Sequence, residues 1–201
     1  MAMIRFHQEG KYMKLVVFNV GSALCVYAEH QTTRIVFDIG KGNNFSPVND
    51  FLLPLYEKRG EHRLKNRNNR YGISQLIVSH PHKDHISDIQ EFDKNFYAHL
   101  LTTPNSKSPN GNPQNINWRK ITTPDDPDVK IGRNLPLRSF DSEHLKIGYL
   151  WPLDVENNSE LLNESYTNNV SIVSFLSFGN YRVFLPGDLQ KLAMGEFLNK
   201  K

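Results

Sequence analysis

The chain has 201 residues, 38% of them hydrophobic and 22% charged, with a formal net charge of +3. That is enough chain to bury one core and too little for two domains of ordinary size, so a single globular domain over residues 1–201 is expected. Cys25 is the only cysteine, which excludes an intrachain disulfide, and its setting in Ala23-Leu-Cys-Val-Tyr27 is that of a small buried hydrophobe. No apolar run reaches membrane-spanning length, and residues 1–13 carry His7, Glu9 and Lys11 where a signal peptide would have an apolar centre; the expected setting is cytoplasmic, without a membrane segment. The small positive charge permits an acidic partner without requiring one.

In chain order, Lys14–Val20 and Ala23–Ala28 read as two strands joined at Gly21-Ser22, and Arg34–Asp38 as a third beyond a polar turn, together an antiparallel opening sheet. Asp38, beside Gly40 at a strand terminus, is placed to accept a hydrogen bond from a neighbouring loop. Ser46-Pro47 is a helix start, followed by an apolar stripe from Val48 to Tyr56 that Pro54 should kink. Between Lys58 and Arg70 lies the one basic cluster, including Arg63, Lys65, Arg67 and Arg70, readable either as a solvated insertion or as a surface for phosphate backbones of DNA or RNA. Leu76–Val78 reads as a buried strand. A helix from about His85 to Phe92, a strand Tyr97–Thr102 and a long loop Thr103–Pro127 rich in proline and asparagine follow. Trp118 and Arg119 in that loop are candidate substrate contacts. Leu145–Trp151 is a further strand and Ser159–Asn163 a short helix. Val170–Phe178 and Arg182–Leu185 form a hairpin across Gly179-Asn180, and Leu189–Phe197 is a final helix.

The chemistry concentrates where Leu76–Val78 must stop. His80, His82, Asp84 and His85 crowd four groups with lone pairs into six residues, an arrangement that is costly unless a divalent cation neutralises it. Pro81 prevents the strand from continuing and keeps His80 extended. The spacing splits the four into pairs, His80 with His82 on the turn and Asp84 with His85 at the helix start, so that each pair can face its own ion; this is the layout of a two-metal hydrolytic centre. Further along, Gly187 permits a tight bend after the hairpin that presents the Asp188 carboxylate from a strand end.

Ser79-His-Pro-His-Lys-Asp-His85 resembles the HxHxDH signature of the metallo-β-lactamase fold. Leu15-Val-Val-Phe-Asn-Val-Gly21, Ile35-Val-Phe-Asp-Ile-Gly40, Asn168-Asn-Val-Ser-Ile-Val173 and Val183-Phe-Leu-Pro-Gly-Asp188 resemble the ComEC-like hydrolase domains associated with DNA uptake. The resemblance runs from about Lys14 to Phe197 and implies an α/β class: an α/β/β/α sandwich with mixed sheets inside and helices outside. It also implies roles. Asp38 orients the histidine loop from behind the metal site; His80, His82 and Asp188 hold one ion and Asp84, His85 and Asp188 the other; a hydroxide attacks an ester, with Asp84, His85 and Asp188 at the reacting centre. A phosphodiester in nucleic acid is the favoured substrate.

The sequence departs from that family in three places. Asn168-Asn169 stand where many members carry a third histidine for the first ion, which implies a harder ligand set and manganese or loosely held zinc, with up to two ions in all. Asn19 and Ser22 replace an aspartate and a glutamine usual in the ComEC-like opening motif. The family's terminal section, with its further histidine, is expected to be missing after Asp188, with His144 as the nearest substitute. Ligand counting then leaves open a truncated chain, a half-enzyme completed by another polypeptide, or a catalytically weak binding module, and it suggests self-association through uncovered apolar surface.

Overall fold

A computed structural model describes residues 1–8, 11–60, 68–80, 82–103, 130–131, 145–148 and 157–199. Seven strands form one sheet: β1 (Ala2–Gln8), β2 (Lys11–Val17), β3 (Val26–His30), β4 (Thr33–Phe37), β5 (Tyr71–Ile77), β6 (Phe96–Thr102) and β7 (Lys130–Ile131), in that spatial order. The first four pair antiparallel as a meander, while β4, β5, β6 and β7 run parallel, so the sheet is mixed. A second, antiparallel sheet has the order β10 (Tyr181–Leu185), β9 (Val173–Phe178), β8 (Leu145–Gly148).

Side-chain alternation explains why the two sheets stack. Val16, Tyr27, Val36 and Leu76 enter the core on one face of the large sheet, and their neighbours Leu15, Ala28, Ile35 and Ile77 enter a second core on the other. The first core is covered by a π-helical turn Val48–Leu52 that runs into α1 (Leu53–Lys58), and by α2 (Lys83–Ile86) and α3 (Ile89–Asn95). The second core is closed by Ile172, Leu176 and Phe178 of the smaller sheet. That sheet turns Val173 and Phe175 outward, onto α4 (Ser159–Asn169) and α5 (Lys191–Asn199). Four layers result, helices outside and sheets inside. Among the described residues no helix is long and apolar enough to cross a membrane.

Several local expectations are corrected. The segment from Phe18 to Cys25 is a loop rather than the ends of two strands, closed by Phe18 N–H to Cys25 O (3.2 Å) and Ala23 N–H to Val20 O (3.4 Å). Phe18, Val20 and Cys25 are buried all the same, Cys25 completely, so hydrophobicity there marks depth and not a strand. β1 adds a strand where none is expected, because its residues from Ala2 to Arg5 are exposed and show no inward face; pairing with β2 makes it a strand. Pro54 lacks the N–H that an α-helix would direct to Asp50, and the preceding turn widens to π geometry, with Leu53 N–H reaching Val48 O. The helix expected from His85 to Phe92 is two helices, broken at Ser87-Asp88, because the fully buried Asp88 carboxylate turns away to serve another element. Its Oδ2 accepts from Ser46 Oγ (2.6 Å) and Val48 N (3.1 Å), pinning the start of the first helical segment. Finally, α4 runs on to Asn169, with a non-helical residue at Ser165.

Candidate metal centre

β4 and β5 are parallel neighbours, so their carboxyl ends emerge together, and Asp38 N–H to Ile77 O (2.7 Å) ties them one residue beyond the ladder. Open α/β sheets offer their sites at such ends. Asp38 follows β4 with φ of +53°, a left-handed conformation that aspartate tolerates better than most residues. This turn brings the buried carboxylate under the chain leaving β5. Oδ1 accepts from Ser79 N (2.7 Å), and Oδ2 accepts from Ser79 Oγ (2.7 Å) and lies 2.8 Å from His85 Nδ1.

Ser79, which no sequence pattern singles out, stands between the two imidazoles, its Oγ 3.1 Å from His80 Nδ1 and 3.2 Å from His85 Nδ1. With Ser79 donating to Asp38, its lone pairs accept from His80 Nδ1, and His85 Nδ1 donates to Asp38. Both rings are thereby fixed with Nε2 toward a common point. Across that point stands Asp188, Oδ1 3.2 Å from His85 Nε2 and Oδ2 3.6 Å from His80 Nε2. His82 Nδ1 is 3.0 Å from His80 Nε2, and Asp84 Oδ2 is 3.9 Å from His85 Nε2. Donor atoms on one tetrahedral ion with bonds of about 2.0–2.1 Å lie about 3.3 Å apart. His80, His85 and Asp188, whose ligand atoms all fall within 4.8 Å of one another, fit a cation of that kind. Asp188, with one oxygen toward each histidine, spans the cluster.

Asp188 reaches the site from the second sheet. Gly187, at φ +60°, makes the bend after β10, and a Cβ there would meet Ser79 Cβ at 2.8 Å and Ser171 Cβ at 3.1 Å, so only glycine allows the two sheets to close this tightly. Ile172 N–H to Ser79 O (2.9 Å) is a direct bond across the seam. On the helical side, Leu24 N–H holds Asp84 O (3.1 Å) and Ile39 N–H holds His85 O (2.7 Å).

Burial first, and then the neighbouring His85, push the fully buried His80 far below the ordinary histidine range, against the pull of Asp188. For His85 burial opposes the charge, but the Asp188 and Asp38 carboxylates outweigh it and raise the group to about 10. Asp188 is lowered in turn, chiefly by its bond to His85.

The other expected site residues distribute differently. Asn169 spends its side chain on the fold: Nδ2 donates to Leu161 O (2.9 Å) and Oδ1 accepts from Gln190 N (3.2 Å), joining α4 to the entrance of α5. The neighbouring Asn168 buries its Oδ1 without a hydrogen-bond partner among the described residues. Arg70 is drawn onto α3, Nη1 donating to Asp93 O (2.8 Å) and Oδ1 (3.0 Å), with 12% of its side chain exposed. Arg63, Lys65, Arg67, Trp118, Arg119 and His144 lie outside the described residues.

No family model and no curated protein matches the sequence. Solved structures do match its fold. A Thermotoga maritima protein provisionally classed as a metallo-β-lactamase superposes with a TM-score of 0.50 at 15% identity, over 94% of this chain and 91% of that one. AidC, a dizinc quorum-quenching lactonase solved with its product N-hexanoyl-L-homoserine, matches with a TM-score of 0.49 at 13% identity, over 90% of this chain and 72% of that one. The layered architecture is thus the metallo-β-lactamase fold. These matches give no support to the ComEC-like branch or to a missing terminal section.

Proposed function

We propose that this chain is a metal-dependent hydrolase that opens an ester by attack of water. The observation that carries the reading is the convergence of His80 Nε2, His85 Nε2 and both oxygens of Asp188 from two different sheets, with His82 and Asp84 at its margins. His80, His85 and Asp188, with His82 and Asp84 at the margin, would hold a divalent cation, zinc or manganese, up to two ions in all. The bound cation supplies an acidified water and neutralises charge as it develops in the transition state. Asp38 and Ser79 do not touch the reacting atoms; they fix the two imidazoles with Nε2 forward. Asp84, its side chain 41% exposed, is the carboxylate at the solvent edge and receives the proton released by the attacking water.

Within this class a phosphodiester of DNA or RNA is the favoured substrate. It rests on the four motifs that resemble ComEC-like domains and on the basic run from Lys58 to Arg70. The test is to load the chain with zinc or manganese, measure metal per chain, and assay bis(4-nitrophenyl) phosphate, single-stranded DNA and a simple lactone in parallel. Turnover of the first two, abolished by His80→Ala with His82→Ala, is the expected result. Turnover of the lactone alone would keep the hydrolase and discard the nuclease. Metal binding without turnover of any of the three would leave a binding module of the same fold, or one half of an enzyme completed by another polypeptide.

A further inference from the structure

Beside the metal centre lies an open pocket of about 760 Å³, lined by residues 19–23 and 41–45 and by Lys83, Asp84 and Ser87. Its size is that of a site for a small organic molecule or a single nucleotide. Asp84, which lines this cavity, has its Oδ2 3.9 Å from His85 Nε2, so the cavity borders the margin of the ligand cluster. The walls are backbone held in place. Gly40 N–H bonds Leu24 O (2.9 Å), Gly42 N–H bonds Phe45 O (3.0 Å), and Lys41 N–H bonds Ser87 Oγ (2.8 Å). The segments meet so closely that a Cβ on Gly40 would lie 1.8 Å from Asp84 O.

The charge of the lining is one-sided. Apart from Asp84, the ionisable groups are two ammoniums, Lys41 and Lys83, and the remaining polar groups, such as Asn19, Ser22 and Asn43, are neutral. Lys41 is paired with the buried Asp88 carboxylate, its Nζ 3.6 Å from Oδ1, with 45% of its side chain still exposed to the pocket side. Lys83 is exposed and makes no ion pair among the described residues. A preformed polar cavity with an uncommitted cation beside a hydrolytic centre is suited to the charged end of a substrate whose scissile bond lies over the metal.

We infer that this cavity is the substrate's anion site, in which Lys83 and Lys41 receive a carboxylate or phosphate carried on the part of the substrate beyond the scissile ester. The inference rests on the hydrolase reading for the word substrate, but the binding of an anion there stands or falls separately.

The test uses the full chain loaded with zinc, its Lys83→Met variant, which keeps the aliphatic stem and removes the charge, and Lys83→Arg. Backbone amide resonances of Gly21, Gly42 and Ser87 are followed while succinate, and separately inorganic phosphate, is added. Saturable shifts are expected, with affinity about five- to tenfold weaker in Lys83→Met and recovered in Lys83→Arg. The two arms tell a carboxylate site from a phosphate site. If Lys83→Met lost zinc, Lys41→Met would carry the same comparison. In parallel, the kcat/KM preference for mono(4-nitrophenyl) succinate over 4-nitrophenyl acetate should collapse five- to tenfold in Lys83→Met. Equal anion affinity in parent and variant, or shifts confined to the neighbours of His80 and Asp188, would overturn the anion site. A parent chain that bound succinate through Lys83 yet hydrolysed neither of these esters nor bis(4-nitrophenyl) phosphate would uphold the cavity and remove the hydrolase.

Discussion

Asp38 Oδ2 lies 2.8 Å from His85 Nδ1, and the same carboxylate takes the hydroxyl and the amide of Ser79. One buried side chain thus sets both ends of the loop between β5 and α2, and with it the direction of two imidazoles. Asp38→Asn keeps a residue that accepts a positive φ but gives up the charge opposite His85. Zinc affinity, measured by competition with a chelator, should fall about ten- to a hundredfold with the fold intact. Asp38→Ala, which suits neither the backbone nor the hydrogen bonds, should also lower the unfolding midpoint.

The imidazolium of His85 gives metal binding a proton signature. Without a cation, Nδ1 faces Asp38 and Nε2 faces Asp188, and the group is raised to about 10. A cation at Nε2 must displace a proton. Zinc titration at pH about 8 in two buffers of different ionisation enthalpy should therefore report release of about one proton per ion, and His85→Gln should remove it.

The same groups shape the stability of the metal-free chain. His85 is raised above its unfolded value of about 6.5, so its contribution is fully present below that pH and disappears as the pH rises through about 10. His80 is depressed, so below about 6.5 the unfolded chain takes up a proton that the folded chain refuses, and stability falls toward acid. Urea denaturation of chelator-treated protein should show a maximum near pH 6.5, with lower midpoints at about pH 5 and pH 9.5. A curve that rose steadily to alkaline pH would contradict the protonated His85.

Gly40 is where the helical side of the site touches the strand side. Gly40→Ala would drive a methyl group into Asp84 O, displacing the turn that carries Asp84 and His85. A loss of about 3 kcal/mol in unfolding free energy is expected, together with loss of tight metal binding. Gly21→Ala is the contrast: φ is +72° but nothing lies within 4 Å of the added carbon, so a cost of about 1 kcal/mol with metal retained is expected.

Arg70 separates two readings of the basic run. Its guanidinium is held by Asp93, so Arg70→Ala should cost about 1–3 kcal/mol of stability. Neutralising Arg63, Lys65 and Arg67 should instead leave the unfolding midpoint in place and flatten the salt dependence of DNA binding by nearly one unit for each phosphate no longer neutralised. An unchanged slope would make that run a solvated insertion.

What could be read from the sequence was whatever a local pattern dictates. The strand ending at Ile77 and the four ligand-bearing residues sit within a few positions of one another, and the Gly179-Asn180 turn announces its hairpin. What stayed hidden depends on partners distant in the chain. Ser79 and Asp88 are ordinary polar residues until the fold sets Asp38 against one and Ser46 and Val48 against the other. β1 turns only Phe6 toward the core and is otherwise exposed, and the loop from Phe18 to Cys25, with Phe18, Val20 and Cys25 buried, shows that apolar content reports depth more faithfully than backbone shape. Arg70 reads as surface charge because nothing in its neighbourhood foretells Asp93.

The seam at Ser79, Ile172 and Gly187 also bears on how the chain folds. His80 and Asp188 stand about a hundred residues apart, so the two halves of the ligand set meet only after a large loop has closed and the inter-sheet core has formed. Until then there is no chelate for an ion to occupy. A cation bound by His80, His85 and Asp188 would act as a clasp between the sheets, stabilising the docked state by mass action. Its removal should show first as faster separation of Ile172, Leu176 and Phe178 from the large sheet, visible in hydrogen exchange along β9 while the parallel strands stay protected.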